Sequence, residues 1–243
     1  MTADAQDSRT EVMTIFKLKQ LASTSVHVAA GAVGWDYDRA ELIADGIVHA
    51  IGVILGLVAA TTLVVLTTVY ATAVDIVGVS IYVAGLLTML GLSATYNLWP
   101  VSRAKWVLRR FDHSAIYVLI AATYTPFIME VPATFFSVAL LVGVWCVAIF
   151  GIVLKLGWPG RFDRLSVGLY LALGWSGIML YDRVVEALPS VALWFVLAGG
   201  ALYSLGVIFH AWRRLRFQNA IWHGFVLMGA ACHYTAVLDL VLN

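Results

Sequence analysis

Seven long apolar runs alternate with short polar connectors along this chain, at about residues 42–66, 75–98, 112–131, 133–155, 165–181, 190–211 and 220–241. A helix rises about 1.5 Å per residue, so each run is about long enough to cross roughly 30 Å of hydrocarbon. The pattern predicts an all-α protein, with a seven-transmembrane helix bundle over residues 41–243 and a tail over residues 1–40. An odd number of crossings puts the two ends of the chain on opposite sides.

The cations decide which side is which. Arg9, Lys17, Lys19 and Arg39 lie in the tail; Arg103, Lys105, Arg109 and Arg110 follow the second run; Lys155, Arg161 and Arg164, then Arg213, Arg214 and Arg216, mark the later connectors of the same side. The opposite connectors hold Asp75, Glu130, Asp182 and Glu186, with Arg183 as their one cation. Lys and Arg are retained on the cytoplasmic side, so the expected arrangement is a cytoplasmic N-terminus and an external Asn243. That is the reverse of the G-protein-coupled receptor order.

Composition removes other classes. Hydrophobic residues make up 62% of the chain and charged ones 12%, which excludes a soluble domain, where about 25% are charged. The formal net charge of +1 points to no nucleic-acid partner and leaves membrane lipid as the expected one. Cys146 and Cys232 fall inside expected spans without metal-type spacing and read as small apolar residues. In the tail, Asp4, Asp7 and Glu11 interrupt any signal-peptide pattern, so the tail is expected to stay on the protein. Val12, Ile15, Phe16 and Leu21, with Lys17 and Lys19, suit either a short interfacial helix or a mobile tail.

Ionisable groups inside hydrocarbon cost several kcal/mol unless paired or hydrated, so those within the runs are candidates for function. Glu41, Asp45 and His49 recur every four residues and share one helix face. Ser93, Tyr96 and Asn97 end the second run, Asp112, His113 and Tyr117 begin the third, and Asn219 and His223 begin the seventh. The spans therefore bring Glu41, Asp45, His49, Ser93, Asn97, Asp112, Asn219 and His223 to one depth near the inner surface. Two readings stay open: buried hydrogen bonds that tie the bundle together, or a ligand or metal site. His27, His113 and His210 read as interfacial or solvated. His233 lies about 15 Å beyond His223. Pro126 implies a kink in the third span, and Trp99, Trp106, Trp158 and Trp212 an inner aromatic belt.

The strings Asp112-His113-Ser114-Ala115-Ile116-Tyr117 and Ala122-Thr123-Tyr124-Thr125-Pro126-Phe127, with Glu41, Asp45 and His49 before them and Ile221-Trp222-His223 after, resemble the hemolysin III branch of the progestin and adiponectin receptor family. The resemblance covers about residues 40–240. It implies seven helices, a cytoplasmic N-terminus, a bacterial inner-membrane location and a zinc site on the cytoplasmic side. That site is built from Ser-x3-His ending the second span, an Asp opening the third and His-x3-His opening the seventh. Such a zinc ion would lower the pKa of a bound water toward about 7 and polarise an amide carbonyl.

Carried onto this chain, the pattern keeps Ser93, Asp112 and His223 but meets Asn97 and Asn219 at the other two ligand positions. Asp45 stands where the family usually has Asn. Carboxamide oxygen is a poor zinc ligand, so no tight zinc is expected in the inherited geometry. A rearranged site using His223 with Asp112, Asp45 or His49 is one alternative. The other is a metal-free network of Asn97, Asn219, Ser93 and Asp112, with Asp45 paired to His49. The functions that follow are a non-catalytic membrane protein sensing lipid or serving membrane homeostasis, a zinc-dependent lipid amide hydrolase with Asp112 and Ser93 as catalytic candidates, and a cytolytic pore. Whether the chain is an enzyme is open at this level.

Overall fold

A computed structural model describes residues 37–100 and 102–243. The segment considered for an interfacial helix and His27 lie outside the described residues. Among the described residues the secondary structure is helical, without strands. The helices are α1 (Arg39–Tyr70), α2 (Ala73–Leu98), α3 (Arg103–Glu130), α4 (Phe135–Gly157), α5 (Asp163–Trp175), a 3₁₀ turn (Ser176–Leu180), α6 (Tyr181–Ala187), α7 (Ser190–Ala211) and α8 (Gln218–Leu242).

Helix starts follow local chemistry. Asp38 caps α1, accepting from the Glu41 amide at 2.9 Å while Glu41 Oε2 accepts from the Asp38 amide at 2.8 Å. That amide bond holds the exposed Asp38 carboxyl below the usual carboxylate range. Thr72 with Asp75 and Thr134 with Ser137 cap α2 and α4 in the same reciprocal way. The third apolar run sits in a helix that begins at Arg103, well before the run itself. Ser102 supplies the cap, and the Lys105 ammonium donates to the Asn97 and Trp99 carbonyls at 3.1 and 2.9 Å. A polar connector thus becomes helix by satisfying the orphan carbonyls at the end of α2.

Among the described residues, six segments are long and apolar enough to cross a membrane: α1, α2, α4, the composite Asp163–Ala187, α7 and α8. Large apolar side chains face outward, as at Ile54 and Phe135, which are 62% and 81% exposed. This is the arrangement a lipid solvent rewards, since an outward apolar surface of this extent has no water-soluble counterpart. α3 is not among the six. Thirteen of its 28 residues are buried, against seven of 32 in α1, so its neighbours are other helices and its sequence carries more polar groups.

The packing order is α4, α3, α2, α1, α8, α7, with α5 and α6 bridging loosely from the α3–α4 side toward α7. Glycines set the closest approaches. A Cβ on Gly85 would collide with Ala122 Cβ, and one on Gly151 with the fully buried ring of Tyr117. α3 runs continuously through Pro126, and a Cβ on Gly78 of α2 would lie only 3.2 Å from the Pro126 Cα.

The fifth crossing expected as one helix is interrupted at Ser176–Leu180. Tyr124 of α3 holds the break: its hydroxyl lies 2.9 Å from the Leu173 carbonyl and accepts from the Gly177 amide at 2.7 Å. One phenol thus joins the Leu173 carbonyl, which also accepts from Ser176, to the Gly177 amide across the break.

Gly85→Val is expected to destabilise the detergent-solubilised protein by about 2 kcal/mol through overpacking against Ala122. Gly91, which has open space around it, should tolerate Ala with no loss or a gain of up to about 1 kcal/mol. Thermal melting of the two variants checks the contrast.

Candidate functional site: a buried carboxylate between two imidazoles

Asp45 and His49 lie on the inward face of α1, 6% and 7% exposed, because their spacing of four returns each to the same side. His223 of α8 comes from across the bundle, and its Nδ1 stands 2.6 Å from Asp45 Oδ1. Asn219, one turn earlier, donates to Asp45 Oδ2 at 2.8 Å. Both carboxylate oxygens are therefore tied to α8.

His49 completes the group. Its Nδ1 lies 2.8 Å from the Asp45 backbone carbonyl, which only accepts, so Nδ1 carries the proton and Nε2 presents its lone pair. Nε2 is 3.2 Å from both Ser93 Oγ and Asn97 Nδ2 on α2. Asn97 also donates to the Ser93 carbonyl at 2.9 Å, and its Oδ1 accepts from Asn219 at 3.3 Å. The two imidazoles meet edge to face with centroids 4.4 Å apart.

The structure thus brings together Asp45, His49, Ser93, Asn97, Asn219 and His223. The Asp45–His49 pair considered from sequence is present at 3.6 Å, but the shorter carboxylate contact is made by His223. Asp112 stands beside His113, with Oδ2 3.4 Å from His113 Nδ1, and lines a cavity with Ser93 and His223. Glu41 works at the surface of the group: its Oε1 accepts from the Phe217 amide at 2.9 Å. Phe217 has a left-handed backbone, φ 59°, in which a non-glycine residue is strained, and this contact helps hold it there. Arg216 pairs with Asp38 at 3.2 Å alongside. Together they fix where α8 begins, and so where Asn219 and His223 point.

The cavity, of about 140 Å³, runs between α2, α3, α5, α7 and α8. One end is polar, at Ser93, Asp112 and His223; most of its wall is apolar, and His233 lies at the other end. His233 Nε2 is 3.2 Å from the Val196 carbonyl, and Gly199 leaves the ring its space. Trp175, at the end of α5, also lines it and donates to Ser204 of α7 at 3.0 Å.

The three positions of the inherited zinc pattern, Asn97, Asn219 and His223, do not fit zinc. Both carboxamides are engaged in hydrogen bonds to each other, to Asp45 and to Ser93, and neither supplies the imidazole or anionic donor zinc favours. A different trio is close. One potential ligand atom from each of Asp45, His49 and His223 lies within 4.8 Å of the others, near enough for a metal ion to be held.

Comparison with known proteins places these residues in a lineage. Residues 41–234 match the family model described as Haemolysin-III related. The chain belongs to this family. It is 39% identical over 198 residues to the "Hemolysin-3 homolog" of Bacillus subtilis (strain 168), covering 82% of this chain and 93% of that protein. It is 36% identical over 202 residues to the "Hemolysin-3" of Bacillus cereus, covering 83% and 92%. The "Heptahelical transmembrane protein ADIPOR2" of Oryza sativa subsp. japonica is similar at 28% identity over 186 residues, 67% of this chain and 81% of that one. This family member is a multi-pass membrane protein of helical build, related to adiponectin-receptor-like proteins.

Three features of the site were not read from sequence. The reach of Lys105 to the end of α2 and the Glu41–Phe217 contact depend on connector geometry, which no periodicity encodes. The third is a pair of cations on one carboxylate: Asp163 accepts from Arg109 at 2.9 Å and from Lys155 at 2.7 Å. Both cations were expected on the cytoplasmic side, and the acid just before the fifth run was the available signal.

Asp45→Ala is expected to destabilise the protein by about 3–5 kcal/mol, because it strands His223 and Asn219 in a buried site. Glu41→Ala should have a smaller effect, about 1–2 kcal/mol, through loss of the partner of the Phe217 amide. Melting curves in one detergent give the order; an Asp45→Ala protein as stable as the parent would contradict it.

Proposed function

We propose that this haemolysin-III related protein is a seven-span inner-membrane protein that takes a membrane lipid into its polar-ended cavity and senses it without hydrolysing it. The observation that supports this reading best is the cavity itself: an apolar slot whose inner end carries Ser93, Asp112 and His223. Its volume is on the order of the ~150 Å³ apolar cavity known to bind benzene, room for a short run of hydrocarbon. The polar end suits a headgroup, and the remaining tail leaves beside α5, where the bundle is loosely closed. The expected soluble partner is undefined; the ligand class is lipid.

Hydrolysis is the weaker reading because its family form needs imidazoles at the Asn97 and Asn219 positions. Cytolysis, suggested by the name of the Bacillus cereus relative, requires a water-lined path. The apolar cavity wall offers none.

The orientation belongs to the same proposal. α3 makes the seventh crossing, buried enough among its neighbours to tolerate its polar groups, and the cations at Arg103, Lys105, Arg109, Arg110, Arg213, Arg214 and Arg216 face the cytoplasm. A phosphatase active only outside the cytoplasm, fused after Asn243, is expected to be active; an inactive, stably expressed fusion would reverse the orientation.

Lipid extraction and mass spectrometry of the purified full chain test the binding reading. The parent protein is expected to retain a defined lipid, and Val226→Trp, which fills the cavity wall, to retain at least about tenfold less. A parent that carries no lipid beyond the bulk detergent–lipid mixture would contradict the proposal.

A further inference from the structure

We infer that Asp45, His49 and His223 form a divalent metal site of their own, displaced from the inherited zinc position and sharing only His223 with it. The donor set is two imidazoles and one carboxylate, with potential ligand atoms within 4.8 Å of one another and all three residues largely buried. Nitrogen-rich sets of this kind select zinc-like transition ions over calcium or magnesium, which favour all-oxygen surroundings.

Proximity is only part of the argument. Metal-ligating histidines almost always anchor their second ring nitrogen, and ligating carboxylates are themselves hydrogen-bonded. His49 has that anchor, with Nδ1 2.8 Å from the Asp45 carbonyl, which leaves Nε2 with its lone pair. Asp45 has the carboxylate support, with Oδ2 held by Asn219 at 2.8 Å and Oδ1, which faces His223, left for a metal. The residue that replaced one inherited ligand has thus become a support for the new one.

In the metal-free form, the lone pair of His49 takes the Asn97 amide and Asp45 takes the Nδ1 proton of His223. A metal ion displaces both contacts and leaves one position free. Ser93, whose hydroxyl is 3.2 Å from His49 Nε2, and His223 both line the cavity, so that position opens toward it. A site with three protein ligands and one open position accepts an oxygen ligand from the cavity.

The test uses the full chain in detergent, stripped with chelator and titrated with Co²⁺ while the visible absorption of the bound ion is followed. One Co²⁺ per chain is expected, displaced by Zn²⁺. Asp45→Asn and His49→Gln should each weaken uptake by at least about tenfold, whereas Asn97→Ala should stay within about threefold. If Asp45→Asn does not fold, His49→Gln alone decides. No uptake by the parent protein overturns the site, as does uptake that survives His49→Gln or is lost in Asn97→Ala. Retained lipid is read separately, so a metal-free protein that still carries lipid refutes this inference and leaves the sensing proposal standing.

Discussion

A carboxylate buried inside an apolar helix bundle has to find its partners within the protein, and Asp45 is the point from which this end of the bundle is organised. The carboxylate takes its partners from α8, through His223 and Asn219, and orients His49 through its own backbone carbonyl. His49 then reaches α2 through Ser93 and Asn97. Three crossings far apart in sequence are joined at one level, and the start of α8 is fixed at the same place by Glu41 on the strained Phe217 amide. Breaking any one link leaves a polar group without its partner in a poorly solvating environment.

The replacements relative to the family pattern are mutually consistent when seen as an exchange of donors and acceptors. Imidazole at positions 97 and 219 would offer lone pairs to a metal; carboxamides offer N–H donors that need an acceptor instead. The carboxylate at position 45, where the family usually has Asn, supplies it. The outcome is a hydrogen-bonded cluster that stands without the inherited metal, beside a cavity that persists because it is shaped by larger features: Gly199 and Gly200 on α7, the break after Trp175, and the Tyr124 hydroxyl that holds that break.

Sequence made the helices legible because lipid imposes a simple rule of length and apolarity, and six of the seven runs correspond to segments able to cross. It misjudged where α3 begins, since the Arg103–Phe111 stretch looks like a connector until Lys105 is seen to cap α2. It read the fifth run as one helix because its break depends on Tyr124, a residue more than fifty positions earlier. The convergence of Asp45, Asn97, Asn219 and His223 was legible from depth alone. Which partner each would choose was not: His49 is four residues from Asp45 and looked like its natural mate, yet helix packing brings His223 closer to the carboxylate. Glu41, grouped with Asp45 and His49 by spacing, is drawn instead to the α7–α8 connector, whose path periodicity does not reveal.

A direct energetic link between α1 and α8 holds this end of the bundle together. A double-mutant cycle on Asp45→Ala and His223→Ala, measured by reversible unfolding in detergent, addresses it most directly. The two losses are expected to be strongly non-additive, with a coupling of about 1.5–3 kcal/mol, because either change alone already breaks the contact. Losses that simply add, to within about 0.5 kcal/mol, would show that the two side chains act independently and that the bundle is held at this level by something else.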